Sequence, residues 1–541
     1  TYSEEQLAVV EKKIREIKES VLAAVDPAHR ENIEDIYPMS DIEKGMIFYY
    51  LKNTDVMVYH DQFVYPMKFR DFDAGLFEKT MFMLIETHQI LRTGFDVENF
   101  DEPVQIVYKQ VPFRMPHFDI SHLDRPRQKE YVRNYLAGDK QRPIDAGRAP
   151  LFRMAVFSLD EENVFTLLIT HHAVIDGWSA ASLITELHNT YLELKSNPGL
   201  ILPEPGCTYR DAVVEEMIEK SIPANRDFWY NELKGYKRLE FPRVLHTEKT
   251  FSGMRVHEYE IDPALLTGLE QTAGTFNISL NNLCMAAFVY VLAMLCDERD
   301  IVVGSVGNNR PQKQDGDKIL GCFLNTLPLR IKIPSAVTWS DFIRLIRDKA
   351  AEIKNYERVP LFEIARVVGE KSREKNPIFD SLFNFMNFHI YYDVESEYIR
   401  RQGSVEPPFT VTGSQDTNTL FDFEVSITFG KFLLCPKYNY FEISDEMVHR
   451  SCVYYERVLR AFTRNPHTVA RKGDVIPEDE RRKLLYEFND TAAPYDRNKL
   501  MHRFFEEQVE KTPCAAALAG PAAYPAAQAR HSREDFPGGD F

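Results

Sequence analysis

The densest chemistry in the chain lies in His171-His172-Ala173-Val174-Ile175-Asp176-Gly177-Trp178-Ser179. Imidazole is the side chain best matched to proton transfer near neutral pH. Asp176 can orient a ring or pair with an arginine, and Gly177 lets backbone approach a substrate closely. N–H groups at a helix start just beyond can stabilise an oxyanion. Adjacent histidines on a strand point to opposite faces, and no cysteine or third histidine stands at ligand spacing, so no metal site is expected. A serine hydrolase would need an activated nucleophile, and the chain has no GxSxG. A purely structural histidine pair stays open. Acyl transfer, with one histidine acting on an incoming amine or hydroxyl, fits best.

These residues need elements to hold them. Asn163–Thr170 is a short apolar run with β-branched residues, which predicts a buried strand. Trp178–Ser196 predicts a helix with Ser179 as N-cap and Ala180, Leu183, Ile184, Leu187, Tyr191 and Leu194 on one face. Ser196-Asn197-Pro198-Gly199 stops it, and the proline-rich stretch to Pro205-Gly206 reads as a linker. A second block, from about Arg226 to Arg471, holds a buried helix over Ser279–Cys296 and a strand over Ile301–Val306. In Leu327–Ile333 the alternation puts Arg330 opposite the aliphatic side chains. Two α/β blocks joined by a linker imply two lobes with a cleft, a favoured place for ligands. At the start, Ser3 and Gln6 have capping-box spacing, followed by Leu7, Val10, Ile14, Ile17 and Val21. That helix either lies along the body or docks a neighbouring protein. Cys514–Phe541 is rich in Ala, Pro and Gly and reads as disordered or foreign to the fold.

Composition bounds the function. The 541 residues correspond to roughly three to four domains. Apolar residues make up 44% and charged residues 27%, a soluble globular balance. The net charge is −17, which argues against general nucleic-acid binding. No apolar run reaches membrane-span length, and Thr1–Lys18 lacks an apolar signal core. Seven scattered cysteines without a CxxC pair read as reduced thiols of a cytoplasmic protein.

HHAVIDGWS matches the HHxxxDG signature of nonribosomal peptide synthetase condensation domains, relatives of chloramphenicol acetyltransferase. Other motifs follow in the family's order. Tyr37-Pro38-Met39-Ser40 with Lys44-Gly45-Met46 resembles the opening motif. His88-Gln89-Ile90-Leu91-Arg92-Thr93-Gly94-Phe95 resembles HExLRTxF, with Gln89 in place of Glu. Tyr209-Arg210-Asp211 resembles YxDF without the Phe. Gly321–Arg330 resembles GxFxNTxxxR, and Asn376-Pro377-Ile378-Phe379 the late RNPL-like motif. The resemblance runs from about Ile33 to Arg471. Leu484–Asn489 and Phe504–Pro513 look like the linker and opening of an adenylation domain.

The resemblance implies an α/β (α+β) fold of two chloramphenicol-acetyltransferase-like lobes in a V-shaped pseudo-dimer with a central tunnel. It divides the chain into an N-terminal linker helix (1–32), an N-lobe (33–205), a C-lobe (206–472), a linker with the start of an adenylation domain (473–513) and the tail (514–541). Donor and acceptor carrier proteins deliver acyl groups on phosphopantetheine arms, the acceptor amine attacks the donor carbonyl, and a peptide bond forms. No covalently bound cofactor and a monomer are expected. His172, the second histidine of the motif, is the expected base or amine-positioning group. A free α-amine titrates at about 7.7–8.0, so the harder step is stripping the proton from the zwitterionic tetrahedral species. His171 is expected to be structural, and Gly177 to present backbone near the thioester. Asp176 is expected to pair with Arg330 across the lobes, so that Asp176→Asn harms folding as much as catalysis. Arg92 and Asn325 are expected as structural residues at the active site, Trp178 and Ser179 along the tunnel. IYPMSDIEKGM with NTLPLR looks like the subtype accepting a D-configured donor. A non-catalytic carrier-binding platform and a free-standing acyltransferase using soluble coenzyme A are the alternatives.

Overall fold

A computed structural model describes residues 2–512 except 53–57, 244–253, 371–375, 388–418, 428–430 and 493–498, together with 516–518 and 524–525. Most of the 514–541 tail therefore lies outside the described residues. The chain divides into two compact units, Thr1–Val475 and Ile476–Phe541. The second carries the amphipathic helix Met501–Lys511.

The first unit begins with α1 (Glu4–Ala24), where Ser3 and Gln6 close the expected reciprocal capping box. Its Val10, Ile14 and Val21 are buried, and Arg210 grips Glu11 through both terminal nitrogens, so the helix lies along the body. There follow β1 (Ile33–Pro38), α2 (Asp41–Lys52), β2 (His60–Lys68), α3 (Ala74–Thr87), β3 (Thr93–Asp96), β4 (Val104–Tyr108) and β5 (His117–Asp119). Next come α4 (Arg125–Asp139), β6 (Phe152–Ser158), β7 (Asn163–His171), α5 (Gly177–Ser196), α6 (Tyr209–Ser221) and α7 (Pro223–Leu233). Strands β2-β7-β6-β5 make one sheet and β1-β4-β3 another. Every residue of β7 from Val164 to His171 is buried, as its continuous apolar run requires.

The later part holds β8 (Met254–Val256), β9 (Tyr259–Ile261), α8 (Ala264–Phe276), α9 (Leu280–Leu295), β10 (Asp300–Asn308), β11 (Leu324–Lys332) and α10 (Trp339–Lys354). It continues with α11 (Leu361–Val367), β12 (Ser381–Met386), β13 (Phe421–Ser426), β14 (Phe432–Leu434), β15 (Lys437–Asn439) and α12 (Asp445–Arg464). Among the described residues its eight strands form one sheet, β11-β10-β12-β13-β14-β9, with β15 joining β13 to β8. Eleven consecutive residues of α9, Leu283–Ala293, are buried, as expected of a helix apolar nearly all round.

Among the described residues two large apolar cores form beside a small one of Val21, Ile33, Ile36, Val104 and Ile106; the two large cores fit the two-lobe reading, but their membership departs from the linker-based division. Cys207, Tyr209, Val213, Val214 and Ile218 pack into the first core, although they follow the proline-rich linker. So do Ile319, Leu320, Cys322 and Phe323 from the loop between β10 and β11. The second core starts at Trp229. A proline-rich stretch marks where the chain leaves regular structure; where the next apolar face finds its partner is a tertiary matter.

Candidate functional site

β2 pairs antiparallel with β7 so that His60 stands opposite His171. The chain leaves β7 there and turns, and the His172 backbone N–H donates to the Tyr59 carbonyl at 2.8 Å. This brings Asp61 beside the His172 ring: Nδ1–H donates to Asp61 Oδ2 at 2.5 Å. Nε2 is then the basic nitrogen of the neutral ring. The His172 side chain keeps 10% of its surface exposed, against 4% for Asp61. Burial by itself pulls the imidazole's pKa down, but the charge and hydrogen bond of Asp61, with Asp176 adding, raise it above the ordinary value. The result is a carboxylate-oriented imidazole suited to accept a proton at Nε2.

His171 has a different environment. Its Nδ1 accepts the Ala173 N–H at 3.1 Å, its ring meets Tyr50 edge-on at 4.7 Å, and it is fully buried. Burial drives its pKa down to about 3, so the ring is neutral.

Asp176, rather than Ser179, caps α5: its Oδ1 accepts the Ser179 N–H at 2.7 Å. Its Oδ2 accepts the Phe323 N–H at 3.0 Å, and its own N–H donates to the Gly321 carbonyl at 3.1 Å. The expected pairing with Arg330 does not occur. Arg330 forks onto Asp300 at 2.8 and 2.6 Å and donates to the carbonyls of Glu232 and Lys234. Seven residues along β11 from Phe323, at about 3.3 Å per residue, carry it away from this turn. The arginine near Asp176 is Arg310, at 3.8 Å, stacked 4.4 Å over the Phe323 ring.

Ser179 is also reassigned. Its hydroxyl donates to the Gly321 carbonyl at 2.7 Å and accepts from Arg310 at 2.7 Å and from the Gly321 N–H at 3.1 Å. One donor and two lone pairs are thus used, and the side chain ties the β10–β11 loop to α5. Arg92 bridges Glu34 and the carbonyls of Ile85, Glu86 and Tyr108, holding β1, α3 and β4 together. Asn325 donates to the carbonyls of Glu357 and Val359, fixing the segment before α11. Gly177 and Trp178 open α5, both partly exposed. Among the described residues no group of three or more His, Cys, Asp or Glu is arranged to hold a metal ion.

Sequence reasoning missed Tyr59, Asp61 and Arg310. The signal for Asp61 was the polar triplet His60-Asp61-Gln62 heading the strand-like run Phe63-Val64-Tyr65.

We expect Asp176→Asn to cost about 3 kcal/mol of unfolding free energy in chemical denaturation, because it removes a buried charge facing Arg310 and an acceptor for the Phe323 N–H. Near the same loop, Glu43 Oε2 accepts from the Ser40 N–H and hydroxyl and from Gln105. Tyr209 in turn links Ser40 to the Cys322 carbonyl. Burial raises the Glu43 pKa to about 8. The folded chain therefore holds a proton that the unfolded chain releases near its ordinary value of 4.5, and this contribution to stability is lost as pH rises through 8. Glu43→Gln should raise Tm by several degrees at pH about 9 and leave it unchanged near pH 4.

The two mixed α/β lobes have the chloramphenicol-acetyltransferase-like two-lobe fold of condensation domains. The sequence pattern of the condensation domain matches residues 33–485, and the chain belongs to that family. It is 26% identical over 497 residues to surfactin synthase subunit 2 of Bacillus subtilis (strain 168), covering 90% of this chain and 14% of that protein. It is 27% identical over 495 residues to tyrocidine synthase 3 of Brevibacillus parabrevis, covering 90% and 7%. The chain thus spans a small part of these relatives. Among solved structures, the condensation domain of the monacolin K polyketide synthase MokA superposes with a TM-score of 0.64 at 18% identity, covering 81% of this chain and 99% of that one. The X-domain from teicoplanin biosynthesis gives 0.66 at 16%, covering 80% and 96%. Condensation domains of this family act on acyl groups carried on phosphopantetheine arms. Among the described residues no single helix is long and apolar enough to cross a membrane.

Proposed function

We propose that this chain forms peptide bonds between two carrier-bound substrates. A donor carrier protein presents an acyl or peptidyl thioester, an acceptor carrier presents an aminoacyl amine, and the amine attacks the donor carbonyl. His172 Nε2 orients the amine and takes its proton from the tetrahedral species; as that species collapses the C–S bond breaks and the imidazolium gives the proton to the departing carrier thiolate. Asp61 holds the ring's tautomer and stabilises the imidazolium that forms. The observation carrying this reading is the 2.5 Å bond from His172 Nδ1 to Asp61 in an HHxxxDG sequence that is intact.

The same reading keeps the donor D-configured, from the opening motif and NTLPLR, and takes residues 473–513 as a linker with the start of an adjoining adenylation domain. It works as a monomer in the cytoplasm, with Trp178 along the substrate path. The test offers a loaded donor carrier with the acceptor either on a carrier or as a free small amine, and follows product by mass spectrometry. Product only from the carrier-bound acceptor supports the reading. Use of the free amine points to a soluble-substrate acyltransferase, and absence of product with intact carrier binding points to a platform.

A further inference from the structure

Strands β10, β12 and β13 run parallel, so their carboxyl ends lie at one edge of the large sheet. From the end of β10 the chain enters the loop that closes on Asp176 and Ser179, which places this edge beside the His172 turn. Alternation then assigns the two faces. On β13, Phe421, Phe423 and Val425 enter the core, where the Phe423 ring lies 4.5 Å from Phe288 of α9 and 4.8 Å from Tyr455 of α12. Asp422 and Glu424 occupy the opposite face. Asn384 of β12 stands opposite Glu424, and Lys437 of β15 opposite Asp422. Lys437 Nζ donates to Glu424 Oε2 at 3.2 Å, each side chain 14% exposed, and Asn384 Nδ2 approaches the same oxygen at 3.4 Å. The Lys437 charge draws the His172 pKa down slightly, against the larger upward effect of Asp61, and the Asp422 charge adds to the upward effect of burial on Tyr59.

An enclosed ion pair gives little net stability over apolar side chains of similar size. Its presence at the end of the sheet whose following loop closes on the His172 turn calls for recognition as its reason. We propose that Asn384, Glu424 and Lys437 form a specificity wall beside His172 that selects a carrier-bound acyl group with a hydrogen-bonding side chain over its aliphatic isostere. This rests on the condensation reading above. The wall offers an ammonium and an amide as donors and carboxylate oxygens as acceptors, so it matches a hydroxyl or carboxamide. A valine or methionine side chain would displace water from those groups without replacing its hydrogen bonds.

The test measures binding, not turnover, so it is independent of whether His172 catalyses condensation. Non-reactive pantetheine amides of threonine, valine, glutamine and methionine are titrated into the full chain and into the Glu424→Leu/Lys437→Met double variant by calorimetry. The wild type should bind threonyl over valyl, or glutaminyl over methionyl, by at least about tenfold, and the double variant should lose that ratio while melting normally. Equal affinity within both pairs, no binding of any amide, or an unchanged ratio in the double variant overturns the proposal. An unfolded double variant is replaced by Glu424→Gln, for which a reduced ratio supports the wall and an unchanged one overturns it.

Discussion

Replacing His172 with alanine will lower condensation between two loaded carriers by about 10²–10⁴-fold, the range typical for removing a general base. The loss should appear in the chemical step, with carrier binding unchanged. The fold should persist, at a lower melting temperature because the buried Asp61 carboxylate loses its imidazole bond; the neighbouring structure is fixed by other groups, since the backbone N–H to Tyr59, the His171 bond to Ala173 and the Asp176 cap all remain. Single-turnover mass spectrometry with a melting curve checks both parts. A full yield from His172→Ala would remove the ring from the mechanism.

Asp61→Asn is the second large effect. The amide can still accept from Nδ1–H, but it no longer enforces one tautomer or neutralises an imidazolium. A fall of about 10²–10⁴ in the condensation rate is expected. The pH profile separates this from a structural defect. Asp61 raises the His172 pKa against the pull of burial, so its neutralisation lowers that pKa. The acidic limb of the rate profile should move to lower pH while the plateau drops. A structural role would lower the plateau and leave the limb in place.

Much of this protein is written in local pattern. The buried strand ending at His171, the helix running to Ser196, the capping box at Ser3 and the enclosed helix α9 all follow from periodicity and end signals, which act over a few residues. The histidine pair and its turn were legible for the same reason. The helix start lies one residue from its expected place, but the N-cap was assigned three residues too late because Asp176 and Ser179 are both good caps. Only backbone geometry shows that the aspartate accepts the serine N–H.

Sequence by itself determined that a histidine of proton-transfer type sits in a tight turn between a buried strand and a helix. Which partners surround that turn was decided by the tertiary structure. Asp61 lies 111 residues before His172 and meets it only through the β2–β7 register, where a one-residue slip would turn it to the other face. Arg310 rather than Arg330 approaches Asp176 because a strand carries Arg330 away while the β10–β11 loop folds back onto the first core. Local propensity is set by neighbours in the chain. Charge pairing is set by distance in space, and that distance exists only once the sheets have closed on their cores.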